Sequence, residues 1–516
     1  MSTNIFTHLR KTLIWILLAA LLVLTIQPAA PVLANWQDTR TSGLLLRPLE
    51  RPASAVAVSA STWSALGTGT NGNVYAIAAT STAVYIGGDF TSVGNCTSGC
   101  NGIAKWNGTT WSALGTGMVG SVYAIAVSGS SVYAGGYFTS SGTCTSNCKS
   151  IAYWNGSNWS ALGTGTTGTI YSIAVSGTSV YAGGYFDSIG TCISGCTNIA
   201  KWDGFSWSAL GTGMGGGFYP YVYDLAVSGS DLYAGGDFTS AGTCTSGCNR
   251  IAKWSGGTWS ALDTGADDTV WAIAVSGTSV YAGGAFLSAG TCTYGCRNIA
   301  RWDGSAWSAL ETGTNGITVR SLTVSGSNLY AGGDFISAGT CTSGCTNIAR
   351  WDGSTWSALD MGTNSIVYAI DVSGSALYAG GAFSSAGTCT SDCQNIARYN
   401  LSTIASLSGL VLSRGTLVPA FDSGITVYTV DVINAITSLT VTPTTADAGA
   451  SIHVRVNRGA WSAVVSGSPS GALALERGDN PIDIQVTAED GTTNTYFTVW
   501  VTRAPFSWIY LPLVIQ

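Results

Sequence analysis

The tetrapeptide Trp-Ser-Ala-Leu occurs seven times, beginning at Trp63, Trp111, Trp159, Trp207, Trp259, Trp307 and Trp356, with spacings of 48, 48, 48, 52, 48 and 49 residues. A unit of that length cannot bury its apolar face alone, so it packs against its own copies in a solenoid, a propeller or an array. The grammar inside the unit chooses among them. Val122-Tyr-Ala-Ile-Ala-Val127 alternates large and small side chains as far as Ser128-Gly129, and Val132-Tyr-Ala-Gly-Gly136 follows. A Ser-Gly pair between two such runs predicts a hairpin. Ile151-Ala-Tyr-Trp154 and Trp159-Ser-Ala-Leu162 give a third and a fourth run, joined by Asn155-Gly156, a pair whose turn matches the twist of paired strands. Four short strands per unit make a propeller blade, and no window carries the 3.6-residue period of a helix.

The ends of the array predict closure. It opens at Trp63 with a lone fourth strand and finishes at Ile396-Ala-Arg-Tyr399 with a third strand that has no fourth after it. Pairing the two seals the ring and leaves no open sheet edge in that blade. The expected fold class is therefore all-β, a seven-bladed propeller over residues 61–401 closed by its N-terminal strand. The Tyr133-Ala-Gly-Gly136 run followed by Trp154 and Trp159 resembles the kelch blade. The longer pattern Tyr-Ala-Gly-Gly-x-Phe, then Asn-Ile-Ala-x-Trp-Asp-Gly, is similar to propellers of bacterial secreted proteins and fungal cortical polarity-marker proteins. That resemblance implies the fold and leaves the ligand open, because propellers host many functions.

At the N-terminus, His8, Arg10 and Lys11 precede an apolar run from Leu13 to Ile26, and Val32-Leu33-Ala34 offers a cleavage point. This reads as an export signal over residues 1–34 followed by a linker over 35–60. The run is shorter than the ~20 residues a spanning helix needs, so the mature chain is expected to carry no membrane-spanning segment. Export gives the 14 cysteines their meaning. They form seven Cys-x-x-x-Cys pairs: Cys96/Cys100, Cys144/Cys148, Cys192/Cys196, Cys244/Cys248, Cys292/Cys296, Cys341/Cys345 and Cys389/Cys393. In an oxidising compartment these are local disulfides, each expected to stiffen one loop. Zinc would need four ligands where each pair supplies two, and His453 is the one histidine after the signal. No metal or other cofactor is expected.

The same scarcity of histidine bears on catalysis. Copper radical oxidases on kelch-like rings need histidine ligands, and the repeat has none; a Ser-His-Asp arrangement is equally unavailable. Asp89, Asp237 and Asp334 recur after the Gly-Gly pair, and Asp267-Asp268 sit together in one loop, which keeps a carbohydrate-active enzyme, a glycosidase or lyase, as the rival reading. A formal net charge of −6 with 9% charged residues gives no basic footprint for nucleic acid.

Departures from the repeat mark the ligand candidates. Long loops and disulfide loops are expected on one rim of the ring, opposite the tight hairpins, and loops on a rigid frame are where binding residues lie. The fourth unit carries extra residues in Met214-Gly-Gly-Gly-Phe-Tyr-Pro-Tyr221, which present Phe218, Tyr219 and Tyr221. The sixth unit places Arg320 where the others have Tyr75, Tyr123, Tyr171, Tyr223, Trp271 and Tyr368, a cation suited to a carboxylate. The repeated tyrosines themselves are expected to pack a large side chain against a small one between blades.

After Asn400 the repeat and the cysteines stop. Alternating runs such as Leu407-Ser-Gly-Leu-Val-Leu412, Val427-Tyr-Thr-Val-Asp-Val432 and Tyr496-Phe-Thr-Val-Trp-Val501 predict a β-sandwich over residues 402–503. Leu407-Ser-Gly-Leu, Thr416-Leu-Val-Pro-Ala-Phe-Asp422 and Ala488-Glu-Asp-Gly-Thr resemble the cadherin-like sandwich of bacterial surface proteins, without the acidic calcium motifs of true cadherins. An apolar tail, 504–516, ends the sequence. Together these features predict a non-enzymatic, secreted or cell-surface binding or scaffold protein that meets a protein or glycan at the propeller rim. A purely structural surface-layer component is the remaining alternative.

Overall fold

The computed structural model describes residues 61–504, which lie in one compact unit. The expected export signal and linker, and all but the first residue of the apolar tail, lie outside the described residues. Among the described residues there is no helix. Seven four-stranded antiparallel sheets form the propeller. In blade one, Val74–Ala79 is the innermost strand, followed outward by Val84–Gly88, Ile103–Trp106 and Trp111–Ser112. Blade seven is completed by Trp63–Ala65, which pairs with the third strand in the register Trp63↔Tyr399, Ser64↔Arg398, Ala65↔Ala397.

The repeated residues are those that hold one blade to the next. A Cβ placed on Gly87 would lie 2.6 Å from Val122 Cγ1 of the following blade, and one on Gly380 would lie 2.5 Å from Val74 Cγ1, across the closure. The first glycine of the Gly-Gly pair therefore exists to admit the neighbouring valine or isoleucine. This corrects the expectation for the tyrosines: the large-against-small contact between blades is Val or Ile on Gly, and the tyrosines are released for other work. The Trp of Trp-Ser-Ala-Leu is buried, and its indole N–H donates to the main-chain carbonyl of the preceding copy's Leu, as in Trp159 to Leu114 O at 2.9 Å. The last of these bonds, Trp63 to Leu359 O at 3.0 Å, closes the circle.

All seven disulfides form as the spacing predicts. The residue before the second cysteine takes the left-handed conformation (Gly99, φ +76°; Asn147, φ 66°; Asp392, φ 64°), which glycine adopts without cost and Asn or Asp tolerate better than other side chains. Their placement adds to the expectation that each stiffens one loop. The first cysteine of a pair, such as Cys96, Cys144 or Cys192, is half-buried. The second, at Cys100, Cys148, Cys196, Cys248, Cys296, Cys345 and Cys393, is fully buried and belongs to its blade's apolar core. Cys100, for example, shares a cluster with Val74, Phe90 and Trp111. A disulfide sulfur carries no charge and needs no hydrogen bond, so it fills such a site as a small hydrophobe does. The physical reason is the short spacing: a loop that returns to its own blade within four residues must put one end into the core. These cysteines thus anchor the rim to the blade and offer nothing to a ligand.

The second domain has a five-stranded sheet in the order Val427–Val432, Asn494–Arg503, Gly478–Thr487, Ser451–Val456, Ser462–Val464, faced by the pair Leu407–Leu412 and Val441–Thr445. Leu407, Tyr428, Ile452, Ile484, Phe497 and Val499 fill its core. It is seated on blade six. Asn328 Nδ2 and Tyr330 Oη donate to Glu489 O at 2.9 and 3.0 Å, and Arg350 Nη1 donates to Gly449 O at 2.7 Å. The contacted Ser325–Asn328 turn is a tight hairpin, so the sandwich occupies the hairpin side of the ring.

Candidate functional site

The opposite side is built from two loop types that hold each other. The loop entering a blade and the loop between its second and third strands are tied by a main-chain bond that recurs in every blade, for example Gly94 N to Gly69 O and Gly190 N to Gly165 O, both 2.8 Å. The disulfides lie in the same loops, so the expected shared rim is present. Every exposed large apolar side chain of the described propeller except Phe205 stands on these loops or the strand ends leading into them.

At the centre of this face the innermost strands surround a funnel of about 250 Å³. Each strand breaks register at the same position of the repeat: between Val74 and Ala76, between Ile170 and Ser172, between Val319 and Ser321, and likewise in the other blades. The skipped residues are Tyr75, Tyr123, Tyr171, Tyr223, Trp271, Arg320 and Tyr368. A bulge leaves the extra residue out of the ladder and re-aims its side chain, and here it turns all of them into the funnel wall. Ring centroids of neighbours lie 5.3 Å apart for Tyr75–Tyr123 and Tyr75–Tyr368, and 3.9 Å apart for Tyr223–Trp271.

Arg320 completes the circle by stacking its guanidinium over the Trp271 ring, 4.0 Å from the centroid. It makes no hydrogen bond or ion pair among the described residues, and its Nε is buried without a partner. Burial lowers its pKa from the usual arginine value. Burial also raises Tyr223, and it pushes Tyr75 up to about 12 with help from Asp89, whose carboxylate accepts the Tyr75 hydroxyl at 2.8 Å.

The inserted arm joins the funnel. Phe218 is 94% exposed at its tip. From there aromatic contacts run inward: Phe218–Tyr219 at 5.6 Å, Tyr219–Tyr221 stacked at 5.7 Å, then Tyr221 against Tyr223 at 5.5 Å and Tyr171 at 5.9 Å. Tyr185 braces the arm, 4.8 Å from Tyr221. Tyr185 and Tyr137 follow the Gly-Gly pair in the position that Asp89, Asp237 and Asp334 occupy elsewhere, so the signal was the same column of the repeat, read for aromatics instead of carboxylates.

The loop aspartates are placed otherwise. Asp267 accepts Leu287 N, Ser288 N and Ser288 Oγ at 2.9, 3.1 and 3.0 Å. Asn71 and Asn364 make the same main-chain bonds in their own blades. Asp268 accepts Thr269 N at 2.6 Å, and Asp237 pairs with Arg250. Two carboxylates missed at the sequence level lie deeper on the axis. Asp224 accepts Ile273 N at 2.7 Å, and Asp371 accepts Ala79 N at 2.8 Å, each reaching the next blade; burial raises each to about 6. A larger cleft of about 400 Å³ lies between the Asp352–Thr355 hairpin and the sandwich strand bearing His453. Asp352 is engaged there by Ser354 N and Thr355 N, both at 2.8 Å.

Residues 405–504 match the family model of the cadherin-like beta sandwich domain. A protein of Evansella cellulosilytica named "Putative membrane protein" is 44% identical over 99 residues, which are 19% of this chain and 14% of that relative. Among solved structures, similarity extends to the extracellular domain of the "putative hybrid two component system BT3049" from B. thetaiotaomicron, with TM-score 0.41, 10% identity, and coverage of 84% of this chain and 56% of that one. It extends also to the WD40 domain of Neurospora crassa Pan2, with TM-score 0.39, 9% identity, and coverage of 66% and 95%. No helix among the described residues is long and apolar enough to cross a membrane.

Proposed function

We propose that this is a non-enzymatic recognition protein of the cell exterior, a kelch-like propeller that binds a glycan or protein on its disulfide-loop face and uses the sandwich as spacer or attachment module. The observation that carries this is the unbroken aromatic surface from Phe218 through Tyr219 and Tyr221 to the Tyr–Trp–Arg ring, on the side of the propeller away from the sandwich. Aromatic side chains with a polar tip dominate recognition surfaces because they bury area while keeping a hydrogen bond. The seven disulfides anchor the loops that frame it, and disulfides persist in oxidising surroundings.

The test is a screen of the full mature chain against glycans and secreted proteins, repeated with Phe218, Tyr219 and Tyr221 replaced by Ala. Saturable binding that the triple replacement removes is the expected result. Binding that survives it places recognition away from the aromatic arm, and no binding at all leaves a surface-layer role instead. Turnover of a polysaccharide that vanishes in Asp267→Asn, Asp268→Asn would establish the enzyme reading.

A further inference from the structure

The funnel is ringed by tyrosine hydroxyls, an indole, and a guanidinium that has no hydrogen-bond partner among the described residues. Arg320 is already held flat by Trp271, which leaves its N–H edge to be satisfied from the axis. A planar fork of donors fixed in this way fits a carboxylate through two parallel bonds. The charged groups around it leave that role open. Asp334 lies within electrostatic range but forms no ion pair with it. Asp224, on the funnel floor, is engaged by Ile273 N, Leu225 N and Ser172 Oγ at 2.7, 2.8 and 3.2 Å.

Size and lining narrow the ligand. At about 250 Å³ the funnel falls just below the ~300–1,000 Å³ of pockets that hold drug-sized molecules, so it accepts one terminal unit and not a chain. A protein anchor would call for a desolvated apolar pocket. Here the mouth offers ring faces and hydroxyls at one level, which suits a compact unit with C–H faces and many hydroxyls. Above it, Tyr219 and Tyr221 stack 12° from parallel and continue the wall outward, where a second unit would lie.

We propose that the axial funnel is a subsite for the terminal acidic sugar of a glycan, its carboxylate held by Arg320 and its ring laid against the tyrosine–tryptophan wall. This deepens the recognition reading and rests on it.

The experiment sets the full mature chain against oligosaccharides ending in glucuronic, galacturonic or N-acetylneuraminic acid. Their carboxyl-reduced counterparts and peptides ending in Asp or Glu run alongside, and hits are titrated by calorimetry. Acid-ended glycans should bind, and reduction of the carboxyl should weaken them roughly 10- to 100-fold, as expected for a charge-assisted hydrogen bond. Arg320→Gln should give the same loss and make reduction indifferent, whereas Arg320→Lys should keep part of the affinity. Unchanged melting of both variants shows that the ring is intact. Equal binding of reduced and acidic glycans, or binding of the peptides alone, overturns the acidic-sugar assignment. So does an Arg320→Gln variant that binds as the parent does. In those cases loss of binding in Tyr219→Ala, Tyr221→Ala would still uphold the recognition face, whereas no binding in any arm overturns the acidic-sugar assignment and leaves the recognition reading to the wider screen of glycans and secreted proteins.

Discussion

The innermost strand of every blade turns an unpaired edge toward the axis, and side chains supply some of the missing partners. Ser172 Oγ accepts Leu225 N at 2.9 Å and Ser321 Oγ accepts Ile370 N at 3.0 Å, while Asp224 and Asp371 do the same for Ile273 and Ala79. For the aspartates this is a compromise: the bonds favour the charged form, and burial opposes it more strongly, so each carboxyl rises to about 6. The sign follows from linkage. Between the unfolded value near ~4 and about 6, the folded chain holds more protons than the unfolded one, so these groups lose stability as pH rises through that window. Asp224→Asn removes its share. The variant should gain on the parent between pH 4 and pH 7 by at most roughly 3 kcal/mol, a ceiling because water in the funnel screens the charge. Melting midpoints of both proteins at the two pH values measure this, and a gap that does not change with pH refutes it.

At the scale of elements, stability comes from a contact repeated around a circle. Trp159→Phe keeps the ring but removes the indole N–H, leaving the Leu114 carbonyl buried without its donor, a loss of about 1–3 kcal/mol. Trp63→Phe should cost the same, because the closing strand makes the same indole bond and Trp63 packs 5.2 Å from Tyr399 much as Trp154 packs 5.6 Å from Trp159. Denaturant titration of the two variants checks this; a much larger loss for Trp63→Phe would mark the seam as a weak joint. Disulfides act more locally. Closing a ring of about five residues is worth roughly 2 kcal/mol in the chain-entropy model, so Cys192→Ala, Cys196→Ala should lower stability by at least that much and raise amide exchange chiefly in its own loop. Alanine is the replacement because a serine hydroxyl at buried Cys196 would add a desolvation cost of its own. Blade strands, closure and cysteine pairing were legible in the sequence because each depends on residues near one another in a repeated unit. The burial of the second cysteine was not, since a Cys-x-x-x-Cys spacing fixes which sulfurs meet and says nothing of which one faces the core. Nor was the bulge, a break in backbone register that the alternation of large and small side chains does not signal. Without it Tyr75 and its counterparts read as packing, and Asp224 and Asp371, which stand where the other units carry Ala, Ser or Thr, were passed over.

For the molecule as a whole, the joint between the domains is a polar knot where three segments meet. The Glu489 carboxylate accepts Ser61 Oγ from the closing strand's approach and Ser402 N from the propeller's exit, and lies 3.8 Å from Arg350 of blade six. Arg350 and Glu489 are both buried. Nothing in the repeat announced this. Arg350 stands where the other blades have Lys or Arg, or Tyr153 in blade two, and Glu489 sits in the Ala-Glu-Asp-Gly-Thr turn that read as a family signature. A buried pair adds little net stability when complete but costs about 3–5 kcal/mol when one charge is left alone. Glu489→Ala strands Arg350 and frees Ser402 N, while the sandwich retains its own core around Tyr428 and Phe497. The domains should therefore come apart before either unfolds: calorimetry should resolve two transitions, and small-angle scattering should show a longer maximum dimension. Ligand affinity at the funnel should not move, because the joint is on the hairpin side and Arg320 faces the other. A Glu489→Ala protein that scatters as the parent does would show that the remaining bonds, among them Asn328 and Tyr330 to the main-chain carbonyl of residue 489 and Arg350 to Gly449 O, suffice to hold the sandwich in place.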